Sequence, residues 1–126
     1  MEKGIDILEF TDEWGPEKIV EVYDPLTGMK GFTVIDNTAL GPAKGGIRMT
    51  SSVSVHEVFR LARAMTWKNS LAGLPFRGGK SGIIWDKKDK KQAKMKGDFV
   101  KSFARAIRQE SPSQYVAAPD INTSEK

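Results

Sequence analysis

Two short segments constrain this chain more than any others: Gly41-Pro-Ala-Lys44-Gly-Gly-Ile-Arg48 and Gly78-Gly79-Lys80-Ser-Gly82. Each fixes a lysine among small, turn-forming residues, whereas lysines are ordinarily scattered over a polar surface. A third lysine, Lys68, lies 24 residues after Lys44 and 12 before Lys80, in Thr66-Trp-Lys68-Asn69. Forty residues beyond Lys80 comes Asp120, in Ala118-Pro119-Asp120. Glycines beside a charged group let the backbone approach a small ligand closely. The pattern points to several ammonium groups converging on an anionic ligand, with one carboxylate at hand for proton transfer.

The bulk numbers fit one globular domain over residues 1–126, long enough to close a core. The formal charge is +4, and much of the basic excess comes from Lys87, Lys88, Lys90, Lys91, Lys94 and Lys96, which read as a solvated face. Nucleic-acid binding would need interleaved aromatics or a known module, and the chain has neither. No apolar run approaches ~20 residues, so no membrane span is expected. Met1 to Phe10 lacks the basic-then-apolar pattern of a signal peptide, which makes a cytoplasmic protein the default. With no cysteine and one histidine, His56, disulfides, thiolate chemistry and a Cys/His zinc site are excluded, and no metal is expected. Trp14, Trp67 and Trp85 read as core or interface anchors.

Hydrophobic periodicity gives an order of strands, helix, strand, helix, strand. Residues 18 to 23 read as a strand, Asp24-Pro-Leu-Thr-Gly28 as a turn, and Met29 to Asp36 as the returning strand of a hairpin. Gly45 to Met49 reads as a further strand. Ser54-Val-His-Glu57 is a capping box at a helix start, which places His56 in an exposed first turn. Val55, Val58, Leu61, Ala62, Met65 and Ala72 follow as a helical stripe, with Gly73 and Pro75 to end it. Lys68 falls along that stripe, a local rule broken. Ser81 to Asp86 reads as a buried strand, Lys91 to Arg108 as a second helix with Phe99, Phe103 and Ile107 aligned, and Tyr115 to Ala118 as a last strand. The fold expected is a single α/β domain, a mixed and mostly β-sheet flanked by helices. A phosphate-binding loop at Gly78–Ser81 fails on spacing, and the segment should open a helix where an apolar strand follows.

Four segments carry a resemblance: Leu40-Gly-Pro-Ala-Lys-Gly-Gly-Ile-Arg48, Met65-Thr-Trp-Lys-Asn-Ser-Leu-Ala-Gly-Leu-Pro75, Gly78-Gly-Lys-Ser-Gly82 and Ala117-Ala-Pro-Asp120. In order and spacing they resemble the N-terminal domain of the glutamate/leucine/phenylalanine/valine dehydrogenases, from about Val20 onward. The resemblance implies a two-domain enzyme whose N-terminal domain binds substrate and carries subunit interfaces, as a dimer or higher homo-oligomer. A separate Rossmann domain would bind NAD or NADP. The reaction implied is reversible oxidative deamination of an L-amino acid to a 2-oxo acid and ammonia. This chain contains no Gly-x-Gly-x-x-Gly, so it is expected to be a domain of a longer enzyme, inactive by itself.

Carried across residue by residue, the resemblance makes Lys80 the catalytic lysine and Asp120 the acid/base aspartate. Lys68 matches the lysine that holds the substrate α-carboxylate, and Lys44 the one that glutamate-specific members use for the side-chain carboxylate. Gly45, Gly46 and Met65 fall in the substrate-binding set. An ammonium in a dry pocket can bind a carboxylate and polarise the adjoining carbonyl. The family's motif usually reads Pro-x-Gly-Gly-Gly-Lys-Gly-Gly; here Arg77 stands at the first of those glycines and Ser81 follows the lysine. Lys44 makes L-glutamate the expected substrate. A leucine, phenylalanine or valine dehydrogenase domain is the alternative, as is a non-catalytic oligomerisation or ligand-binding module. Arg48 reads equally as a helper of the ligand site or a surface ion pair, and Asn69 as hydrogen-bonding material beside Lys68.

Overall fold

Asp24 to Gly28 closes a hairpin as its residues require. In the structure, a computed structural model that describes residues 7–111 and 114–119, Asp24 Oδ1 accepts from the Leu26 N–H at 2.9 Å and Gly28 takes a φ of 81°. The hairpin strands β1 (Lys18–Tyr23) and β2 (Lys30–Ile35) pair antiparallel, with Lys18 opposite Ile35 and Tyr23 opposite Lys30. Three more strands complete the sheet: β3 (Ala43–Thr50), β4 (Arg77–Ile84) and β5 (Tyr115–Pro119). Their spatial order is β1-β2-β4-β3-β5, with β2 antiparallel to β4 and β3 parallel to both β4 and β5. The sheet is therefore mixed, and the glycine-rich segment runs through its centre.

That placement corrects one expectation. Gly78-Gly79-Lys80-Ser81-Gly82 is the body of β4 rather than a turn, and the strand starts at Arg77, not Ser81. These glycines are required by packing. A Cβ at Gly78 would lie 1.9 Å from the Ala62 carbonyl oxygen, one at Gly79 would lie 2.7 Å from the Tyr115 ring, and one at Gly82 would lie 2.7 Å from the Phe32 ring. β3 likewise begins at Ala43, earlier than expected, and a Cβ at Gly45 would fall 1.5 Å from the Gly79 carbonyl oxygen. Glycine in a strand often marks such close approach of neighbouring backbone.

Helix α1 (Val55–Leu71) starts where the capping box places it, with the Glu57 N–H donating to Ser54 Oγ at 3.2 Å while the Glu57 carboxylate accepts from Arg48, and Gly73 follows its end at φ 68°. Its inward face differs from the apolar stripe. Val58, Ala62, Thr66 and Asn69 are buried, whereas Leu61 and Met65 are half-buried and Lys68 is exposed. The helix is rotated because Thr66 and Asn69 bond to strand backbone, which an all-apolar face could not do. With Phe32, Val34 and Val53 it forms the core on one side of the sheet.

On the other side Phe99, Phe103 and Ile107 are buried as their spacing predicts, against Met29, Ile35, Met49, Ile83 and Tyr115. The single helix expected there is divided at Met95 into α2 (Lys90–Lys94) and α3 (Lys96–Ala106). Asp89 caps α2 by accepting from the Lys91 and Gln92 N–H groups, and the Trp85 indole donates to the Gln92 carbonyl at 2.7 Å. These bonds tie α2 to the end of β4, and α3 starts anew. Among the described residues no helix is long and apolar enough to cross a membrane.

The segment before β1 is fastened to α1 by one guanidinium. Arg63 donates to Asp36 (Nε to Oδ2, 2.7 Å; Nη2 to Oδ1, 3.1 Å) and to Asp12 (Nη1 to Oδ2, 2.7 Å; Nη2 to Oδ1, 3.0 Å). Above this clamp Trp14 and Trp67 meet edge to face, centroids 5.7 Å apart. Both tryptophans are about half exposed (47% and 44%), so of the three expected anchors only Trp85 is buried. His56 is partly buried rather than exposed, its ring edge to face with Phe10.

Two outcomes follow from this packing. Gly45→Ala drives a methyl into the β4 backbone and should destabilise the chain by about 3 kcal/mol or more, read by chemical denaturation. The Arg63 hydrogen bond, aided by the Trp14 N–H, holds the Asp12 carboxyl down at about 2 against an ordinary 3.8. Since the folded value is the lower one, this contribution is present above the ordinary value and is lost as pH falls from about 4 towards about 2. The Trp14–Trp67 fluorescence signal should change across that window, and Asp12→Asn should remove the change.

Candidate substrate site

Strand alternation sorts the lysines by face. Gly79 meets Tyr115 and Ala43 on the α3 side, so Gly78, Lys80 and Gly82 face α1. Lys80 stands opposite Val34, in the α1-side core, and is only 8% exposed. On β3, Ala43 belongs to the α3-side core and its neighbour Lys44 therefore faces α1, with its ammonium 5.4 Å from the Phe76 ring centroid. Lys44 pairs with Gly78, two residues before Lys80, so ideal sheet spacing puts the two lysine Cα atoms about 8 Å apart.

The β3–β4 ladder skips Gly45 and Gly46 and resumes at Ile47 opposite Ser81, in unchanged register. Gly46 therefore comes beside Lys80 and presents no side chain there. Tyr115 Oη donates to the carbonyls of Gly45 (2.8 Å) and Gly46 (3.2 Å), fixing the glycine pair from the far side.

Helix α1 supplies the third lysine. Glu57 accepts from Arg48 of β3 at 2.7 Å, which assigns Arg48 to an ion pair and places the α1 flank bearing Glu57, Leu61, Met65 and Lys68 over β3. The opposite flank, with Arg63, reaches Asp36 beyond β2. Lys68 thus stands at the exposed end of α1 on the side of Lys44 and Lys80, and Met65 lies one turn earlier. Asp120 lies outside the described residues; β5 runs towards it, with Pro119 registered against Ile47.

Several neighbours behave differently from expectation. Asn69 donates to the Arg77 carbonyl at 2.7 Å instead of orienting Lys68. The Arg77 guanidinium donates to the Ser70 hydroxyl on α1, which holds it at the edge of the site. Thr66 and Asp36 carried no signal beyond a polar residue in an apolar run, yet both are buried, and the Thr66 hydroxyl donates to Asp36 Oδ2 at 2.7 Å.

Chemically, the arrangement offers two ammonium groups from adjacent strands and a third from the covering helix, all on one side of a sheet. Among the described residues no group of three His, Cys, Asp or Glu could hold a metal ion. The described residues do not fit a dinucleotide either. Such a site needs a glycine turn between a strand and a helix N-terminus, and here the glycines lie inside a strand.

Comparison with known proteins gives a consistent result. The sequence profile described as Glu/Leu/Phe/Val dehydrogenase, dimerisation domain, matches residues 16–126. A leucine dehydrogenase of Bacillus subtilis is 35% identical over 124 residues, covering 94% of this chain and 32% of that protein. An NADP-specific glutamate dehydrogenase of Saccharolobus shibatae is 38% identical over 127 residues, covering 94% of this chain and 29% of that protein. The solved glutamate dehydrogenase of Peptoniphilus asaccharolyticus superposes with a TM-score of 0.79 at 30% identity, over 86% of this chain and 29% of that one. The chain thus spans about a third of the length of these relatives, all of them amino-acid dehydrogenases by name. The match over residues 16–126, together with the shared fold, makes this chain a member of the Glu/Leu/Phe/Val dehydrogenase family, in its dimerisation domain.

Proposed function

We propose that the chain is the substrate-binding and oligomerisation domain of an NAD(P)-dependent amino-acid dehydrogenase acting on L-glutamate. The observation that carries the reading is the placement of Lys44 and Lys80 on one face of adjacent strands, with Lys68 on the helix that covers that face. In this reading the Lys68 ammonium binds the substrate α-carboxylate. Lys80, buried and in low dielectric, polarises the 2-oxo carbonyl and exchanges protons at that oxygen. Asp120 takes and returns the proton of the substrate amine. Gly45, Gly46 and Met65 shape the pocket wall. The nicotinamide would supply or accept hydride when bound, at a site these residues do not form.

Lys44 decides between substrates in this reading. Its ammonium would pair with a second carboxylate, which favours glutamate over leucine. The named relatives include both leucine and glutamate dehydrogenases, so the test must separate the two. The protein is proposed to be a homo-oligomer held partly through the hairpin of residues 18 to 36, whose β1 is an outer strand of the sheet.

In the enzyme that carries this domain, Lys80→Ala should lower kcat by about three orders of magnitude or more with the circular dichroism unchanged. Substantial retained turnover refutes the role. Lys44→Leu should shift the kcat/KM ratio of L-glutamate to L-leucine by about 10² towards leucine, and an unmoved ratio means that the dicarboxylate assignment is wrong.

A further inference from the structure

The backbone of Gly78, two residues before Lys80, is held at both polar atoms by one buried network. Its N–H donates to the Thr66 hydroxyl at 3.0 Å, and its carbonyl accepts from the Asp36 N–H at 2.9 Å. The Thr66 hydroxyl in turn donates a hydrogen bond to Asp36 Oδ2, and the same carboxylate accepts two hydrogen bonds from Arg63. Asp36 is fully buried and Thr66 nearly so, at 2% exposure. Neighbouring contacts extend the seam, with Asn69 on the Arg77 carbonyl and Arg77 on Ser70. The α1 segment that makes these bonds, Thr66 to Ser70, includes Lys68.

We propose that Thr66, Asp36 and Arg63 are positioning residues, which set the site geometry by fixing the strand that carries Lys80 against the helix that carries Lys68. None of the three is assigned contact with substrate. Their effect is on the separation of the two ammonium groups, since a site holds its geometry only when the supporting hydrogen bonds are complete. Thr66 is central because its one hydroxyl both donates to a carboxylate and accepts from a strand amide. Arg63 extends the control outward: its guanidinium is shared with exposed Asp12, so attachment of the segment before β1 bears on the same carboxylate. The proposal rests on the reading of Lys80 and Lys68 as site residues.

The test uses this chain with lysine labelled at Cε and Nζ, the Lys80 signal assigned by its loss in Lys80→Gln, and 2-oxoglutarate as probe. Thr66→Val keeps the volume and deletes the hydroxyl; Thr66→Ser restores it. Thr66→Val should move the Lys80 signal, speed exchange at the Gly78 amide by about tenfold and weaken 2-oxoglutarate by about tenfold, while Thr66→Ser resembles the parent. Ser102→Ala, which removes a hydrogen bond to Asp24 on the far side of the sheet, is the control for general loosening and should leave the Lys80 signal in place. If Thr66→Val does not fold, Arg63→Lys serves instead, because one ammonium cannot reproduce the paired hydrogen bonds that the guanidinium makes to each carboxylate. A Lys80 signal and Gly78 exchange rate unchanged in the folded variant overturn the proposal, as does an equal shift in Ser102→Ala. Should the parent fail to bind 2-oxoglutarate while Thr66→Val still moves Lys80, the positioning role stands and the substrate reading falls.

Discussion

The contact on which the rest depends is the seam between α1 and β4, where a helix and a strand approach more closely than side chains would permit. Gly78 makes it possible, since any Cβ there would enter the backbone of α1 at Ala62 and Thr66. Close approach of two backbones buries amides and carbonyls that must find partners, at a cost of about 1–3 kcal/mol for each left unpaired. Thr66, Asn69 and Asp36 supply those partners. The seam is therefore polar where a core would ordinarily be apolar, and it brings helix and strand lysines to one side of the sheet.

The two faces of the sheet divide the labour. The α3 side is an apolar cluster of Met29, Ile35, Met49, Ile83, Phe99, Phe103, Ile107 and Tyr115, interrupted by the paired hydroxyls of Thr33 and Ser81 at 2.9 Å. Its part in the site is indirect: the Tyr115 ring packs on Gly79 while its hydroxyl steadies Gly45 and Gly46. The α1 side has a smaller apolar cluster and carries the charged groups. The larger apolar cluster lies on one face and the candidate site on the other, with the glycine strand shared between them.

Much of this was legible in the residues. Asp24 to Gly28, the Ser54–Glu57 box, and Phe99, Phe103 and Ile107 each encode local geometry through short-range bonds or a simple period, and the structure agrees with them. The glycine-rich segment misleads because glycine signals a turn or a tight contact equally well, and only the tertiary neighbours decide. Thr66 and Asn69 were hidden for the same reason: their burial is required by strand carbonyls and amides that sequence periodicity does not represent. The break at Met95 depends on Trp85 and Gln92 meeting across seven residues, beyond the reach of a helical pattern. The lysines of the candidate site were visible from their flanking residues, and the structure places them on one side of the sheet; the groups that hold the neighbouring backbone were not visible.

The direction of α1 has an electrostatic consequence. The helix ends over the start of β4, where Asn69 and Ser70 grip Arg77, so its terminal carbonyls lie on the side where the cations gather. That end carries the equivalent of about half a negative charge. A modest, permanent counter-field is thus built into the peptide chain beside Lys68. It eases the mutual repulsion of ammonium groups brought to that end of the helix.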